Sequence, residues 1–153
     1  MSIAEWDENE TTELEQHVVD IDEQPITHDP AVDEEMPQTY YGSVDEFVRE
    51  KIVTSYRRLV GPQAPYRWAA DWWSYPEAVS RLDALWRAWE HLRLDGVTGA
   101  SVWWRDHADH HMRMLLDKDG PFMTSKDMND PGEPLPYTAP PEGLFPDVRA
   151  QAG

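Results

Sequence analysis

The chain contains no cysteine, which excludes disulfide bonds, thiolate-ligated zinc, iron–sulfur clusters and thiol nucleophiles. It also lacks a long apolar run, since no stretch approaches the roughly 18 residues of a membrane-spanning helix. Its first residues have neither the basic segment nor the apolar segment of a signal peptide. These absences predict a cytoplasmic protein without membrane insertion, whose stability comes from packing.

Catalytic signatures are absent as well. The chain has no glycine-rich phosphate-binding loop and no Gly-x-Ser-x-Gly nucleophile turn. Because 30 of its 153 residues are Asp or Glu, pairs of carboxylates occur throughout and single out no acid–base pair. We therefore expect that the protein is not an enzyme and that it uses no cofactor.

Basic residues are scarce, and they are missing from the start of the chain. Residues 1–41 contain thirteen Asp or Glu and no Lys or Arg, residues 42–123 contain twelve acidic and eleven basic residues, and residues 124–153 contain five and two. The net charge of -17 therefore lies mostly in the first segment. The middle segment is nearly neutral and lacks the excess of Lys and Arg that nucleic-acid-binding domains have, so strong nucleic-acid binding is not expected.

Residues 1–41 are predicted to be a disordered acidic arm, because a highly charged segment with few large apolar residues cannot offset the entropy of ordering. Within it, Leu14, Val18 and Ile21 have helical spacing. This spacing is either accidental or marks a short helix that folds against a partner. We expect a protein partner, with basic surface charge, to bind through this arm.

Residues 42–123 are predicted to form a small tryptophan-rich three-helix domain, so the fold class is mainly α. The first helix begins at Ser43, which makes a capping box with Glu46, and ends at Val60 before Gly61-Pro62. Its apolar stripe is Val44, Phe47, Val48, Ile52, Tyr56 and Leu59.

The second and third helices have their own boundary signals. Ser74 and Glu77 form a capping box around Pro76, and the helix ends near Asp95-Gly96. The third helix is predicted from about Gly99 to Leu116. Its inward stripe is Trp104, Ala108, His111 and Leu115, with Trp103, His107 and Met114 beside it.

The tryptophans admit two interpretations. They either close the open end of a small core or form a ligand-binding cage, and the first is favoured because a small domain needs bulky core residues. On the second interpretation the candidate binding residues are the clustered tryptophans and two arginines of the first helix: Trp68, Trp72, Trp73, Trp103, Trp104, Arg57 and Arg58.

One pair of histidines has metal-ligand spacing. His107 and His111 are four residues apart and share a helix face, as two ligands of a zinc ion do. A third ligand would come from Glu90, His91 or Asp71. Two histidines with ordinary structural roles are the favoured alternative, since no complete metal-binding motif is present.

Residues 124–153 are predicted to form an extended, proline-rich tail with six prolines between Pro131 and Pro146. An undocked tail is the simpler expectation. Docking through Tyr137, Leu144 and Phe145 is the alternative.

Several motifs, most of them containing tryptophan, are spaced along residues 68–122: Trp72-Trp73, Pro76-Glu77-Ala78, Arg81-Leu82, Ala84-Leu85-Trp86-Arg87-Ala88-Trp89-Glu90, Ser101, Trp103-Trp104-Arg105-Asp106-His107, His111-Met112 and Gly120-Pro121-Phe122. Together they resemble an actinobacterial family known as domain of unknown function 4913. The chain departs from this pattern at His110, where the family would have proline. The resemblance implies an accessory protein of plasmids and integrative elements, encoded among conjugation genes, and it implies no catalytic residue.

Two functional hypotheses follow. The first is a non-enzymatic protein-interaction module of a mobile element. The second is a metal-binding protein or metal-dependent enzyme that uses His107 and His111.

Overall fold

The computed structural model describes residues 37–151, which form three helices and no β-strand. The mainly α fold class is therefore confirmed for this part of the chain. The predicted arm lies, up to residue 36, outside the described residues. No helix in residues 37–151 is long and apolar enough to cross a membrane.

Helix α1 comprises α-helical Val44–Phe47, π-helical Val48–Ile52 and α-helical Val53–Ser55. The predicted cap is confirmed, since the Ser43 hydroxyl accepts a hydrogen bond from the Glu46 amide at 3.1 Å. This bond satisfies one of the amides that a helix start leaves unpaired.

The predicted end of α1 at Val60 is wrong, because contacts with a distant residue hold the chain out of the helix. The side chain of Asn129 accepts a hydrogen bond from the Val60 amide at 2.9 Å and donates one to the Arg58 carbonyl at 2.8 Å. Tyr56 already has a non-helical ψ of 70°. As a consequence Leu59, predicted as buried, is 39% exposed.

Helix α2 is the regular α-helix Pro76–Leu92. Its N-cap is Tyr75, and no side chain caps it, so the predicted Ser74 capping box is wrong. Ser74 instead ends the 3₁₀ turn Trp72–Ser74. Proline suits the first helical position because its missing N–H would be unpaired there.

Helix α3 comprises Gly99–Val102, π-helical Trp103–Ala108 and Asp109–Leu116, close to the predicted limits. Its predicted inward stripe is partly wrong. The π-helical stretch lengthens the turn, which rotates the following side chains relative to a regular helix. Its buried residues are Gly99, Trp103, Ala108, Met112, Leu115 and Leu116.

The core lies between the three helices and the loop that joins α1 to α2. Trp68, Trp72 and Trp103 are its largest fully buried side chains. The Trp103 indole N–H donates to the Leu85 carbonyl of α2 at 3.0 Å. The ring centroids of Trp68 and Phe122 are 5.0 Å apart in an edge-to-face arrangement, a geometry that aromatic pairs prefer.

The proline-rich segment packs against the helices, so the expectation of an undocked tail is wrong. Leu135 is buried, and its amide donates to the Val53 carbonyl of α1 at 3.0 Å. The Trp68 indole N–H donates to the Pro136 carbonyl at 2.9 Å, and the Trp73 indole N–H to the Thr138 carbonyl at 3.1 Å. The tail thus supplies acceptors that the loop tryptophans need.

Further contacts continue to the end of the described chain. The Phe145 ring stacks on Trp72 with centroids 5.4 Å apart, as the docking alternative for Phe145 predicted. The Tyr137 hydroxyl donates to the Asp45 carboxylate at 2.6 Å, and burial together with this bond raises the pKa of Tyr137 to about 12. Arg149 binds the Glu46 carboxylate at 2.8 Å. The described residues therefore form one compact unit.

Candidate functional site

The π-helical stretches of α1 and α3 meet around the ammonium group of Lys51. Its Nζ lies 5.1 Å from the ring centroid of Trp103, 5.4 Å from that of Trp89 and 5.8 Å from that of Trp104. We call these three indoles the tryptophan cage. Short π-helical stretches change the direction of side chains and are frequent at functional sites, which makes this junction a candidate site.

Lys51 has an unusual electrostatic environment. Within residues 37–151 no carboxylate forms an ion pair with it. Burial lowers the pKa of Lys51, whereas the negative faces of the three indoles favour its charged form. The cage therefore takes the place of a carboxylate.

Tyr56 connects the cage to a neighbouring cleft. Its ring centroid lies 5.6 Å from that of Trp104, and the Arg58 guanidinium carbon lies 5.5 Å from the Tyr56 ring centroid. The Tyr56 hydroxyl donates a long hydrogen bond of 3.5 Å to the Asp109 carboxylate. Burial, with the nearby Asp109 charge, raises the pKa of Tyr56, so its hydroxyl keeps its proton.

The cleft beyond Tyr56 has a volume of about 490 Å³. Tyr66 and Met112 line it together with acidic and basic side chains. The charged residues are Arg58, Asp109, Arg113, Asp117, Lys118 and Asp119. We call the five residues Lys51, Tyr56, Arg58, Trp104 and Arg113, at the cage and around the cleft, the Tyr56 surface.

Most cations of the chain are already engaged, and those of the Tyr56 surface are exceptions. All thirteen Lys and Arg lie within the described residues, and seven of them form ion pairs there. Arg57 and Arg67 donate to backbone carbonyls instead. The four without such partners among residues 37–151 are Lys51, Arg58, Arg113 and Lys126. Three of these four belong to the Tyr56 surface.

The five predicted tryptophans differ in how far they are exposed. Trp68, Trp72 and Trp103 are core residues without a surface that a ligand reaches. Trp104 is 37% exposed, so a partner can contact it directly. Trp73 is partly buried under the tail.

Of the two predicted arginines, only Arg58 joins the Tyr56 surface. Arg57 lies just beyond α1, where its side chain donates to the Gly132 carbonyl at 3.1 Å. Lys51, Tyr56 and Arg113 were not among the predicted binding residues. Lys51 and Arg113 have the spacing of ordinary surface charges in the sequence. Lys51 contacts Trp103 and Trp104 where the π-helical stretch of α1 lies next to that of α3.

His111, one of the two histidines proposed as metal ligands, lies beside a cation. The Nδ1 atom of His111 lies 3.0 Å from a guanidinium nitrogen of Arg81. Burial, with the charge of Arg81 adding to it, lowers the pKa of His111. No group of three or more His, Asp or Glu that would hold a metal ion is found within residues 37–151. Glu90, one predicted third ligand, instead accepts hydrogen bonds from the Tyr40 and Tyr41 amides.

The pKa of His111 predicts a pH dependence of stability. Because the folded state disfavours protonation, the unfolded chain binds the proton first, near the ordinary histidine pKa of about 6.5. The free energy of unfolding should therefore fall as the pH decreases below about 6.5. Urea denaturation at pH 7.5 and pH 5.5 should show a smaller decrease in His111→Gln than in the parent protein.

His110→Gln is the matched control, because His110 is an exposed neighbour on the same helix. It should lose as much stability as the parent protein between the two pH values. An equal decrease in all three proteins would contradict the assignment to His111.

Comparison with known proteins gives one match. Residues 41–141 match the model of a family described as Domain of unknown function (DUF4913). No curated protein and no solved structure matches the chain. The matched range includes α1, the loop tryptophans and the tail through Pro141, so it follows the packed unit rather than the tryptophan motifs alone.

Proposed function

The chain belongs to the family of the domain of unknown function DUF4913, and we propose that it is a non-enzymatic protein-interaction module. Its partner binds at the Tyr56 surface. The observation that carries this proposal is the position of Trp104, a partly exposed indole beside Lys51, which forms no ion pair with a carboxylate among the described residues.

The chemistry of this surface suits protein recognition. Tryptophan, tyrosine and arginine supply most of the binding energy at protein interfaces, because they bury large areas and still form polar contacts. Trp104, Tyr56 and Arg58 supply these three residue types, and the Tyr56 ring lies next to both the Trp104 indole and the Arg58 guanidinium. The neighbouring cleft gives a partner side chain a place to insert.

The same groups give little support to a reaction. A general base needs a pKa near the working pH, and burial moves the pKa of Tyr56 further from neutrality. Lys118 and Asp119, at the cleft rim, form an ion pair with each other at 3.0 Å.

The setting of this module is also part of the proposal. The resemblance of residues 68–122 implies an accessory of actinobacterial plasmids or integrative elements, in a conjugation assembly. The thirteen acidic residues of segment 1–41 favour a partner with a basic surface. The arm and the Tyr56 surface would then be two contact regions of one module.

Affinity capture from the native host with the full chain tests the proposal. The parent protein should retain a defined partner, and Trp104→Ala should retain at least about tenfold less, the effect of losing an interface anchor worth 1.4 kcal/mol or more. Leu94→Ala is the matched control, since it removes an exposed apolar side chain from the loop after α2. Equal capture by Trp104→Ala and the parent protein, at a temperature where both are folded, would refute a role for this surface.

A further inference from the structure

We infer that the Tyr56 surface recognises an acidic segment of its protein partner, which places a carboxylate on Lys51 and an apolar side chain on Trp104. The inference rests on the proposed function, because it names the chemistry of the partner at the same surface. The basic surface that the charge of residues 1–41 favours is a different region of that partner.

The missing counter-ion of Lys51 is the first support. Its side chain is partly buried, and burial lowers its pKa, with no carboxylate of residues 37–151 opposing that shift. Glu50, the preceding residue, pairs with Arg49 at 3.2 Å instead. Charged groups that lose water are normally paired in proteins, because desolvation without a partner is costly. A carboxylate from a partner would supply the counter-ion that the described residues do not.

The tryptophan cage prepares this ammonium group for binding. Its three indole centroids lie 5.1, 5.4 and 5.8 Å from the Lys51 Nζ atom and hold it by cation–π attraction. A side chain that is already held loses less conformational entropy on binding than a mobile surface lysine. The rings also exclude water from part of the ammonium, which strengthens its attraction for an anion.

Exposed aromatic rings on two sides of the ammonium give the partner an apolar contact area. Trp104 is 37% exposed, and Tyr40, whose ring centroid lies 5.5 Å from that of Trp89, is 60% exposed. Aromatic side chains of this kind contribute large contact areas at protein interfaces. A segment with an apolar residue next to an acidic one therefore matches the rings and the charge of Lys51 together.

The cleft end of the surface is less favourable for an anion than the Lys51 end. Arg58 and Arg113 line the cleft and form no ion pair within residues 37–151. However, Asp109 also lines it, where it accepts the Tyr56 hydroxyl at 3.5 Å and repels an approaching carboxylate. We therefore assign the main carboxylate contact to Lys51.

The net charge of the chain favours a short acidic peptide over a polyanion. At -17, the chain repels anions at long range, and the repulsion grows with the number of charges on the ligand. A nucleic-acid strand carries a phosphate at every nucleotide, whereas a peptide segment needs one carboxylate to pair with Lys51. The charge balance thus favours protein over nucleic acid as the source of the anionic group.

Peptide titration of the full chain, followed by amide NMR spectroscopy, tests the inference. The probes are acetyl-Gly-Phe-Asp-Asp-Gly-amide and its neutral counterpart acetyl-Gly-Phe-Asn-Asn-Gly-amide. The acidic peptide should shift the Lys51 amide and Trp104 indole signals, with a dissociation constant on the order of 1 mM. The neutral peptide should bind about fivefold more weakly, the effect of a charge pair worth about 1 kcal/mol. Equal affinities, or shifts centred on Gly96 and Val97, would overturn the inference.

Substitutions at the lysine identify the charge that is recognised. Lys51→Met keeps an apolar stem without the charge and should abolish the preference for the acidic peptide, whereas Lys51→Arg should retain it. Lys126→Met is the matched control, because Lys126 is an exposed lysine outside the surface. A preference that survives in folded Lys51→Met would overturn the inference. The comparison of the two peptides on the parent protein needs no variant, so it decides the inference even where Lys51→Met does not fold.

A nucleic acid is the competing ligand. A short single strand of deoxythymidylate, titrated in the same buffer, should shift the Lys51 and Trp104 signals less than the acidic peptide does at equal concentration. Larger shifts with the oligonucleotide would overturn the choice of an acidic peptide.

The outcomes separate this inference from the proposed function. Equal affinity for the two peptides, together with a partner that Trp104→Ala fails to capture, would overturn only the acidic chemistry of the contact. A preference for the acidic peptide that depends on Lys51, together with a partner that Trp104→Ala captures as well as the parent protein, would overturn only the assignment of the surface to that partner.

Discussion

Trp103→Ala is expected to lower the free energy of unfolding by about 3–5 kcal/mol, the range for truncating a buried aromatic side chain. The same change at the next residue, Trp104→Ala, should cost about 1 kcal/mol. These two substitutions remove the same atoms from neighbouring positions of one helix. Their difference therefore measures the environment of each indole.

The environments differ because of the π-helical stretch that contains both residues. Trp103 is 1% exposed, packs edge-to-face on Phe47 with ring centroids 6.2 Å apart, and donates its indole N–H to the Leu85 carbonyl. Its removal leaves a cavity between α1, α2 and α3 and breaks that hydrogen bond. Trp104 contacts Trp103 and Tyr56 but keeps one side in solvent, so its loss opens no enclosed space.

Urea denaturation followed by circular dichroism, at pH 7.5, gives both values with one method. Trp86→Ala serves as a second buried reference, since Trp86 is 6% exposed in the regular helix α2. Similar costs for Trp103→Ala and Trp104→Ala would contradict the placement of α3. A larger loss of stability in Trp104→Ala than in Trp103→Ala would favour the orientation of α3 that regular helical spacing predicts, with Trp104 facing the core.

That pair of residues also shows how far sequence reasoning reaches in this protein. Helix starts depend on local chemistry, and Ser43 and Pro76 mark two of them correctly. The limits of α3 also follow from local signals at Gly99 and after Leu116. Local signals do not show which side of α3 faces the core. A regular period of 3.6 residues assigns Trp104 to the interior, whereas the structure places Trp103 there.

The candidate site was less predictable than the fold. Trp104 and Arg58 were predicted among the binding residues, but on the basis of local clustering rather than of the surface that they form. The contact of Lys51 with Trp103 and Trp104 depends on two π-helical stretches, one in α1 and one in α3. Neither stretch can be predicted from the periodicity of apolar residues in the sequence. Long-range contacts decide the remainder, as the effect of Asn129 on the end of α1 shows.

The tail is the largest feature that local signals do not reveal. Proline-rich composition predicts an extended conformation, and residues 134–141 lie outside every helix of the fold. It does not predict which groups accept the hydrogen bonds of that segment. Those partners, the Val53 and Ala70 carbonyls, are more than sixty residues away in the chain.

Ending the chain after Met123, the predicted limit of the helical domain, is therefore expected to cost about 4 kcal/mol or more. Burial of a leucine side chain contributes about 1.5–3 kcal/mol, and each hydrogen bond exchanged for one with water costs about 0.5–1.5 kcal/mol net. The truncation removes buried Leu135 and the acceptors of the Trp68 and Trp73 indole N–H groups. Small domains have a total free energy of unfolding of about 5–15 kcal/mol, so this loss would remove a large fraction of the stability of the domain.

A chain that ends after Glu142 is the matched control, because it keeps Leu135, Pro136 and Thr138 but loses Phe145 and Arg149. Its melting temperature should lie between those of the full chain and of the chain ending after Met123. Limited proteolysis of the full chain should leave a resistant fragment that extends past Thr138, since cleavage requires the backbone to detach from α1 and the loop tryptophans. Early cleavage between residues 124 and 134, with equal melting temperatures for all three chains, would show that the tail contributes nothing to the stability of the helices.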